Sequence, residues 1–327
     1  MKKCTECGVS YKINTSGYLF IEGMNNDRTY TEYKYSSIQE LEDYLKTLTR
    51  ELKDLSEVKA AVSNEAEKPI VLTSLPVLLE RVKNREIVQV IQTGELIGHI
   101  QPIIDLQNNQ LFAFESLLRT NGMNQIPPGQ LFQVAEKTGL LSMLDQRARE
   151  VAIQTRRKYI KKGVKSFINF LPSTIYNPEF CLQHTFHLVN RYGIDPTDLV
   201  FEVVETEKID DVEHLQKVFI TYKKQGMKVA LDDVGSGFST IEMLELLHPD
   251  YVKIDRSYID HCDQDRQKQK FLKEVQLIAQ DLNIQVLAEG IERIEELELC
   301  RDLGMNLAQG YFVGKPKTGD QYINLQI

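Results

Sequence analysis

The chain has 327 residues, of which 42% are hydrophobic and 26% charged, and its formal net charge is −8 at pH 7. This composition is that of an ordinary globular protein and excludes a disordered or collagen-like chain. The negative charge also argues against a nucleic-acid polymer as partner, because phosphate backbones are bound by basic grooves.

No run approaches the roughly 18–20 apolar residues that a membrane span requires. The opening MKKCTECG lacks the apolar core of a secretory signal. Five cysteines without framework spacing agree with a reducing compartment. We therefore expect a cytoplasmic protein with no membrane span.

Residues 1–75 are predicted to form a small N-terminal module of mixed α and β structure. A strand-like run at 18–21 is followed by a capping box at Ser37 and Glu40, which opens a long helix expected to span 37–62. Apolar residues then alternate at spacings of three and four, at Ile38, Leu41, Leu45, Leu48, Leu52 and Leu55. This stripe fits two partners equally well: its counterpart in a homodimer, or the sheet of its own module.

Cys4 and Cys7 in this module resemble half of a zinc knuckle. No second pair of ligands follows nearby, so a complete zinc site needs another chain. Free thiols are the simpler interpretation, and the sequence leaves both open.

From residue 80 to 327 the pattern changes to alternating strands and helices, such as the helix 212–225. The eight strand-like runs are 99–106, 111–118, 165–170, 199–204, 228–232, 251–254, 285–288 and 306–313. This count predicts a (β/α)₈ TIM-type barrel. Only residues 107–110 separate the first two strands, which is too short for a parallel crossover. The predicted fold class is therefore α/β, an irregular barrel whose first strand is antiparallel.

Polar side chains lie at the ends of seven of these strands, where barrels of this type build their active sites. They are Glu115, Asn169, Glu202, Asp232, Asp233, Lys253, Glu289 and Gln309. A single acid here usually caps a helix or pairs with a lysine, but Lys253 cannot neutralise five carboxylates. Because like charges raise one another's pKa and destabilise a site, the cluster predicts divalent cations. Oxygen ligands suit Mg²⁺ or Mn²⁺, and two ions about 3.5–4 Å apart are usual for attack on a phosphodiester.

The sequence around these positions resembles the EAL family of cyclic di-GMP phosphodiesterases, whose signature is Glu-Ala-Leu-Leu-Arg. The matching segments, in family order, are 101–103, 115–119, 169–172, 202–205, 232–239, 253–257, 288–292 and 309–311. The resemblance covers roughly residues 80–318 and leaves the N-terminal module outside. It implies hydrolysis of cyclic di-GMP to linear pGpG with two Mg²⁺ or Mn²⁺ ions, and a homodimer formed through barrel helices.

The resemblance also implies a role for each matched residue. The implied metal ligands are Glu115, Asn169, Glu202, Asp232, Asp233 and Glu289, with Asp232 bridging the two ions. Among the implied catalytic residues, Lys253 contacts the attacking water, Gln309 orients the water and the metal shell, and Glu205 braces the loop 233–239. The implied substrate contacts are Gln101, Leu117, Arg119, Asp255 and Glu292.

Three residues depart from the family pattern, and none of them removes a ligand. Ser116 replaces alanine, Val204 replaces threonine, and Val234 replaces an aromatic residue in the loop after the aspartate pair. The main alternative to an enzyme is a receptor that binds cyclic di-GMP without cleaving it and signals through the N-terminal module. A third is a phosphodiesterase for another dinucleotide. Receptors in such families usually lose a ligand or the lysine, and this chain retains all of them.

Overall fold

The computed structural model describes residues 12–23, 30–52, 54–66, 71–122, 125–203, 212–235 and 241–322. The chain divides into two compact units, one of residues 1–95 and 120–144 and one of residues 96–119 and 145–327. Along the chain, the first unit includes residues 1–75 together with the segments 76–95 and 120–144.

The first unit contains a four-stranded antiparallel sheet in the order β2-β1-β3-β4. Its strands are β1 (Gly17–Glu22), β2 (Tyr30–Tyr35), β3 (Lys59–Ser63) and β4 (Thr73–Ser74). Its helices are α1 (Ile38–Glu51), α2 (Leu75–Lys83), α3 (Arg85–Thr93) and α4 (Pro128–Lys137).

Helix α1 covers the sheet of its own module. Ser37 caps the helix as predicted, since its Oγ accepts a hydrogen bond from the Glu40 N–H at 3.1 Å. Leu41, Leu45 and Leu48 are buried in one core with apolar residues of β1 and β3. The sequence left two packing partners open for this apolar stripe, and in the structure the stripe packs against the sheet of its own module.

The predicted helix 37–62 is too long. It ends at Glu51, and Lys59–Ser63 forms strand β3. The run Val58, Ala60 and Val62 alternates along the chain and contributes to the module's core, as expected for a strand with one face buried. Leu52 and Leu55 lie beyond the helix and pack against the same core from the connection.

The second unit is the barrel. Its strands are β5 (Leu96–Asp105), β6 (Leu111–Thr120), β7 (Lys165–Phe170), β8 (Leu199–Val203), β9 (Lys228–Val234), β10 (Tyr251–Ile254), β11 (Gln285–Ala288), β12 (Leu307–Gln309) and β13 (Lys317–Thr318). Its helices are α5 (Leu141–Tyr159), α6 (Pro178–Cys181), α7 (Gln183–Tyr192), α8 (Val212–Lys224), α9 (Ile241–Leu247), α10 (Arg256–Ile259), α11 (Arg266–Asp281) and α12 (Ile294–Asp302).

Strand β5 closes the barrel with reversed direction. Strands β6 to β12 pair with one another in parallel. Strand β5, in contrast, pairs antiparallel with β12. The connection from β5 to β6 turns at Asn109, whose φ of 58° lies in the left-handed region that asparagine tolerates. The predicted irregular barrel with an antiparallel first strand is confirmed, with the last strand shorter than the expected 306–313. The short β13, an addition to the predicted set, pairs antiparallel with β5.

Side chains alternate between the two surfaces of the barrel wall. Those facing outward, such as Phe201, Leu231 and Val252, pack beneath the helices in the main core. Those facing inward form a separate apolar layer with one residue from each strand: Ile103, Ala113, Phe167, Val200, Ala230, Tyr251, Leu287 and Leu307. This layer fills the barrel and is the floor on which the polar site lies.

Candidate active site

The predicted site residues form the next layer of the barrel interior. Because side chains two positions apart point to the same face of a strand, each polar residue lies directly beyond an apolar floor residue. On the parallel strands these are Glu115, Asn169, Glu202, Asp232, Lys253, Glu289 and Gln309, each two residues after its floor residue. On the reversed strand β5 the same rule runs backwards from Ile103 to Gln101.

Lys253 lies in the middle of this layer with its side chain 2% exposed. Its Nζ is 2.7 Å from Glu289 Oε1, 2.9 Å from Glu202 Oε2 and 3.1 Å from Asp232 Oδ1. Glu115 Oε1 is more distant, at 3.8 Å. One buried cation therefore contacts the carboxylates of four different strands.

Side-chain amides hold Glu115 from both sides. Asn169 Nδ2 donates to Glu115 Oε1 at 3.1 Å, and Gln309 Nε2 donates to Glu115 Oε2 at 2.6 Å. Gln309 Nε2 also lies 3.2 Å from Gln101 Oε1, and Gln101 Nε2 donates to the Gly314 carbonyl at 3.0 Å. These bonds fix the orientation of the Gln309 amide, so that its oxygen points away from Glu115.

The two adjacent aspartates converge because strand β9 is irregular at its end. Leu231 pairs with Val252 and Val234 with Ile254, so Asp232 and Asp233 together lie opposite Lys253 alone. The extra residue is a bulge, and Asp233 adopts a left-handed φ of 54°. In a regular strand these neighbours would point to opposite faces. Here carboxylate oxygens of Asp232, Asp233 and Glu289 all lie within 4.8 Å of one another.

The charges of this layer are unbalanced. Burial raises the pKa of Glu202 and Glu289 well above the ordinary glutamate value, although the Lys253 ammonium acts in the opposite direction. Burial raises the pKa of Asp232 as well. Burial also acts to raise the pKa of Glu115, but the charge of Lys253 and the amide donors outweigh it and the pKa ends below its usual value.

The residues present fit divalent cations. Four carboxylates surround one ammonium group, and two of them, Asp232 and Glu289, form with Asp233 a cluster of the size that a metal ion occupies. Glu202 Oε1 and Gln309 Oε1 are buried, and neither has a hydrogen-bond partner among the described residues. Buried oxygens are rarely left unpaired, and hard oxygen ligands of this kind suit Mg²⁺ or Mn²⁺.

Gln101 belongs to this layer, and the other four predicted substrate contacts lie beyond it, on β6 and on the loops after β10 and β11. Leu117 and Arg119 continue the inward face of β6 past Glu115. Asp255 caps α10 by accepting from the Ser257 N–H at 2.9 Å. Glu292 pairs with Arg256 Nη2 at 2.9 Å, in the loop after β11. The predicted metal ligands and Lys253 thus form one compact cluster, whereas these four residues are spread over strand β6 and two loops.

Several predictions fall outside the described residues. Cys4, Cys7, Val204 and Glu205 are among them, as is the part of the loop 233–239 that begins at residue 236. Val234 is described and is fully buried among the apolar residues between the strands and helices.

Sequence reasoning missed a buried ion pair near the site. Asp145 and Arg149 on α5 are 2% and 4% exposed, and Asp145 accepts from the turn that follows Asn169. Charged residues four apart on a helix normally indicate a surface pair. The available signal was that both fall on the apolar side of α5, in line with Ala152 and Ile153.

Comparison with known families identifies the barrel. A sequence model of the EAL domain matches residues 84–316. The chain belongs to the EAL family. The match covers every residue of the polar layer described above and leaves the small antiparallel sheet of the first unit outside it.

Two curated relatives illustrate the level of similarity. The probable cyclic di-GMP phosphodiesterase PdeG of Escherichia coli K12 is 32% identical over 246 residues, which is 72% of this chain and 46% of PdeG. The bifunctional diguanylate cyclase/cyclic di-GMP phosphodiesterase MucR of Pseudomonas aeruginosa PAO1 is 25% identical over 240 residues, or 72% of this chain and 35% of MucR. The chain thus spans less than half the length of these relatives.

Solved EAL structures share the barrel fold. A standalone EAL protein from Vibrio cholerae O395, determined in its c-di-GMP-bound form, has a TM-score of 0.63 and 32% identity and covers 69% of this chain and 94% of its own. The MucR phosphodiesterase in complex with c-di-GMP has the same TM-score with 26% identity, covering 69% of this chain and 99% of its own.

None of the described helices is both long enough and apolar enough to cross a lipid bilayer.

Proposed function

We propose that this EAL domain hydrolyses one phosphodiester bond of cyclic di-GMP and releases linear pGpG, with two divalent cations, Mg²⁺ or Mn²⁺. One observation carries the proposal: the complete polar layer, in which buried carboxylates of four strands surround Lys253. A module that only binds the nucleotide has no use for this concentration of negative charge, because a dinucleotide is itself an anion. The names of the curated relatives point to the same substrate.

In this proposal Glu115, Asn169, Glu202 and Asp232 would hold one ion, and Asp232, Asp233 and Glu289 would hold the second. Bound there, the ions would reverse the local charge, draw the phosphate into the site and lower the pKa of the attacking water. The bulge at the end of β9 supports a bridging role, since it brings both aspartates to one side of the strand.

Lys253 and Gln309 act on the water in this proposal. Lys253 is fixed by ion pairs to Glu202, Asp232 and Glu289, and its ammonium group would contact the attacking water beside these carboxylates. Gln309 has its amide nitrogen committed to Glu115 and Gln101, which leaves its buried oxygen free among the described residues to accept a hydrogen bond from that water. Glu205, outside those residues, retains its proposed role in bracing the loop 233–239.

The outer residues bind the nucleotide in this proposal. Arg119 is half-buried on β6, where its guanidinium would face a phosphate or guanine, and Gln101 of β5 and Leu117 of β6 would contact the same nucleotide. Burial lowers the pKa of Arg119, although Glu115 and Tyr311 act in the opposite direction, and the guanidinium keeps its charge at neutral pH. Asp255 and Glu292 would contact the nucleotide from the loops after β10 and β11.

We extend the proposal to a homodimer in the cytoplasm. Ile220 of α8 and Leu246 of α9 are 47% and 53% exposed, and the two helices are linked by a hydrogen bond of 2.9 Å from Gln216 Nε2 to the Leu246 carbonyl. Helix α9 follows directly on the loop 233–239, so a contact here would lie beside the segment that carries Asp233. The leucine stripe of α1 does not support this dimer, because it is buried in its own module.

The test separates binding from hydrolysis. Purified wild type, Glu115→Ala and Asp232→Ala are assayed for pGpG release in Mg²⁺ or Mn²⁺, and cyclic di-GMP binding is measured by calorimetry. Glu274→Ala, which alters an exposed acid on α11, serves as the matched control. We expect the wild type and the control to hydrolyse cyclic di-GMP. Glu115→Ala and Asp232→Ala should remain folded and release no pGpG. Binding by the wild type without any product would instead support the receptor, and wild-type turnover by either site variant would contradict the metal assignment.

A further inference from the structure

A buried ion pair on α5 lies outside the polar layer. Arg149 Nη2 and Nε are 2.8 Å and 3.1 Å from the same oxygen of Asp145, Oδ2, and both side chains are almost completely buried. Arg149 Nη1 also donates to Thr185 Oγ1 on α7 at 2.6 Å. The pair is therefore held rigidly by two helices of the barrel.

Asp145 also binds the turn that follows β7. Its Oδ1 accepts from the Leu171 N–H at 3.0 Å, and its Oδ2 accepts from Thr174 Oγ1 at 2.8 Å. Leu171 comes two residues after Asn169, whose side-chain amide donates to Glu115 in the site. The carboxylate thus anchors the backbone immediately beyond a proposed metal ligand.

Stability alone does not account for a pair of this kind. Moving two charges out of water costs several kcal/mol per ion, and apolar residues of similar volume often stabilise a fold at least as well. A charged pair can instead fix the position of a segment. The Asp145 carboxylate accepts four hydrogen bonds, and these bonds hold a turn that apolar packing would leave free to shift. Residues that orient metal ligands from behind affect metal affinity or activity about 10–100-fold when they are changed.

We propose that Asp145, held by Arg149, is a positioning residue that fixes the turn after β7 and so sets where the Asn169 amide lies against Glu115. Its effect on rate rests on the proposed hydrolysis, whereas its effect on the position of Asn169 does not. The two can therefore be measured separately.

The experiment compares Asp145→Asn with Asp198→Asn. The control pair is also buried, with side-chain exposures of 4% for Arg156 and 7% for Asp198, and Asp198 accepts from Arg156 Nη2 at 2.5 Å and from the Gly163 N–H at 3.0 Å. It lies just before β8 begins, at the opposite end of the strand from Glu202. Loss of stability should therefore be similar in the two variants, and only Asp145→Asn should affect the site.

Two readouts are taken from the full chain. The first is the ¹⁵N–¹H signal of the Asn169 side-chain amide, assigned by its loss in Asn169→Ala. We expect it to shift in Asp145→Asn and to stay in place in Asp198→Asn. The second is the Mg²⁺ concentration that gives half-maximal hydrolysis, expected to rise about tenfold in Asp145→Asn. In an Asn169→Ala background the same change should have little further effect, because Asp145 acts through Asn169.

An unmoved Asn169 signal in folded Asp145→Asn would overturn the proposal, as would equal shifts in the two variants. If Asp145→Asn does not fold, Thr174→Val removes the hydroxyl that lies 2.8 Å from both Asp145 Oδ2 and the Leu171 carbonyl, and it should shift the same signal by a smaller amount. No shift there would count equally against the proposal. If the wild type does not hydrolyse cyclic di-GMP, the proposed function fails while the amide signal still decides the role of Asp145.

Discussion

The substitution Lys253→Met removes the cation that contacts the buried carboxylates while keeping the volume of the side chain. Lys253 Nζ lies 2.7–3.1 Å from oxygens of Glu202, Asp232 and Glu289. With an effective dielectric constant of about 20, each unit-charge pair at such a distance is attracted by roughly 5–6 kcal/mol. Desolvation and repulsion among the carboxylates offset much of this. We therefore expect a net loss of about 3–5 kcal/mol in the free energy of unfolding, as for other broken buried pairs.

The assay is urea denaturation in EDTA, with Lys228→Met as the matched control. Lys228 Nζ is also 2.7 Å from a carboxylate oxygen, that of Asp250, but its side chain is 45% exposed. Exposed pairs contribute about 0–1 kcal/mol, so the control should change little. The two lysines thus differ in burial, whereas the distances from their Nζ atoms to the nearest carboxylate oxygens are the same.

The loss should depend on pH in a defined direction. Glu202 and Glu289 have pKa values raised by burial, so the stability they contribute is present below their unfolded pKa of about 4.3 and lost as pH rises through the folded value. Without Lys253 their pKa values rise further. The gap between variant and wild type should therefore be small near pH 4–5 and largest near pH 8.

Added Mg²⁺ should restore part of the loss, since ions bound to the folded state at about 100 times their dissociation constant contribute about 2.7 kcal/mol. Equal losses for Lys253→Met and Lys228→Met, or a gap that does not vary with pH, would refute the reasoning.

The remaining predictions concern other parts of the fold. Gly310→Ala should lower stability and activity together, because a Cβ there would lie 2.0 Å from a backbone oxygen of the loop after β11, whereas Gly129→Ala, with open space around it, should not. Leu45→Ala should reduce the free energy of unfolding by about 2–5 kcal/mol in denaturant titrations, since the side chain is fully buried in the core of the first unit. Leu246→Asp should convert the proposed dimer to a monomer in light scattering, while Leu277→Asp, at an exposed position on α11, should leave it intact. A wild-type monomer at micromolar concentration would contradict this.

Much of the barrel could be predicted because its strands repeat one pattern. An apolar residue followed two positions later by a polar one occurs on the seven parallel strands, and in reverse order on β5. Alternation places all the polar residues in one layer. The reversed first strand followed from the short connection at 107–110. Sequence spacing alone therefore locates Glu115, Glu202 and Lys253 in a common site.

Other features depend on contacts that no local pattern reveals. The bulge that aligns Asp232 with Asp233 arises from the register of β9 against β10, which sequence spacing does not contain. The buried pair of Asp145 and Arg149 has the spacing of a surface ion pair and becomes visible only when the helix is packed. The α1 prediction overran into Lys59–Ser63 because the apolar spacing of the helix continues through Leu52 and Leu55, which join the same core from outside the helix.

The central claim is that the polar layer cleaves cyclic di-GMP with the help of divalent cations. The most direct measurement strips the purified full chain with EDTA, adds cyclic di-GMP, restores Mg²⁺ or Mn²⁺, and resolves the nucleotides by chromatography. The account predicts linear pGpG in the metal-restored samples and unchanged substrate in EDTA. Unchanged cyclic di-GMP in the presence of saturating metal, or equal hydrolysis with and without metal, would contradict it.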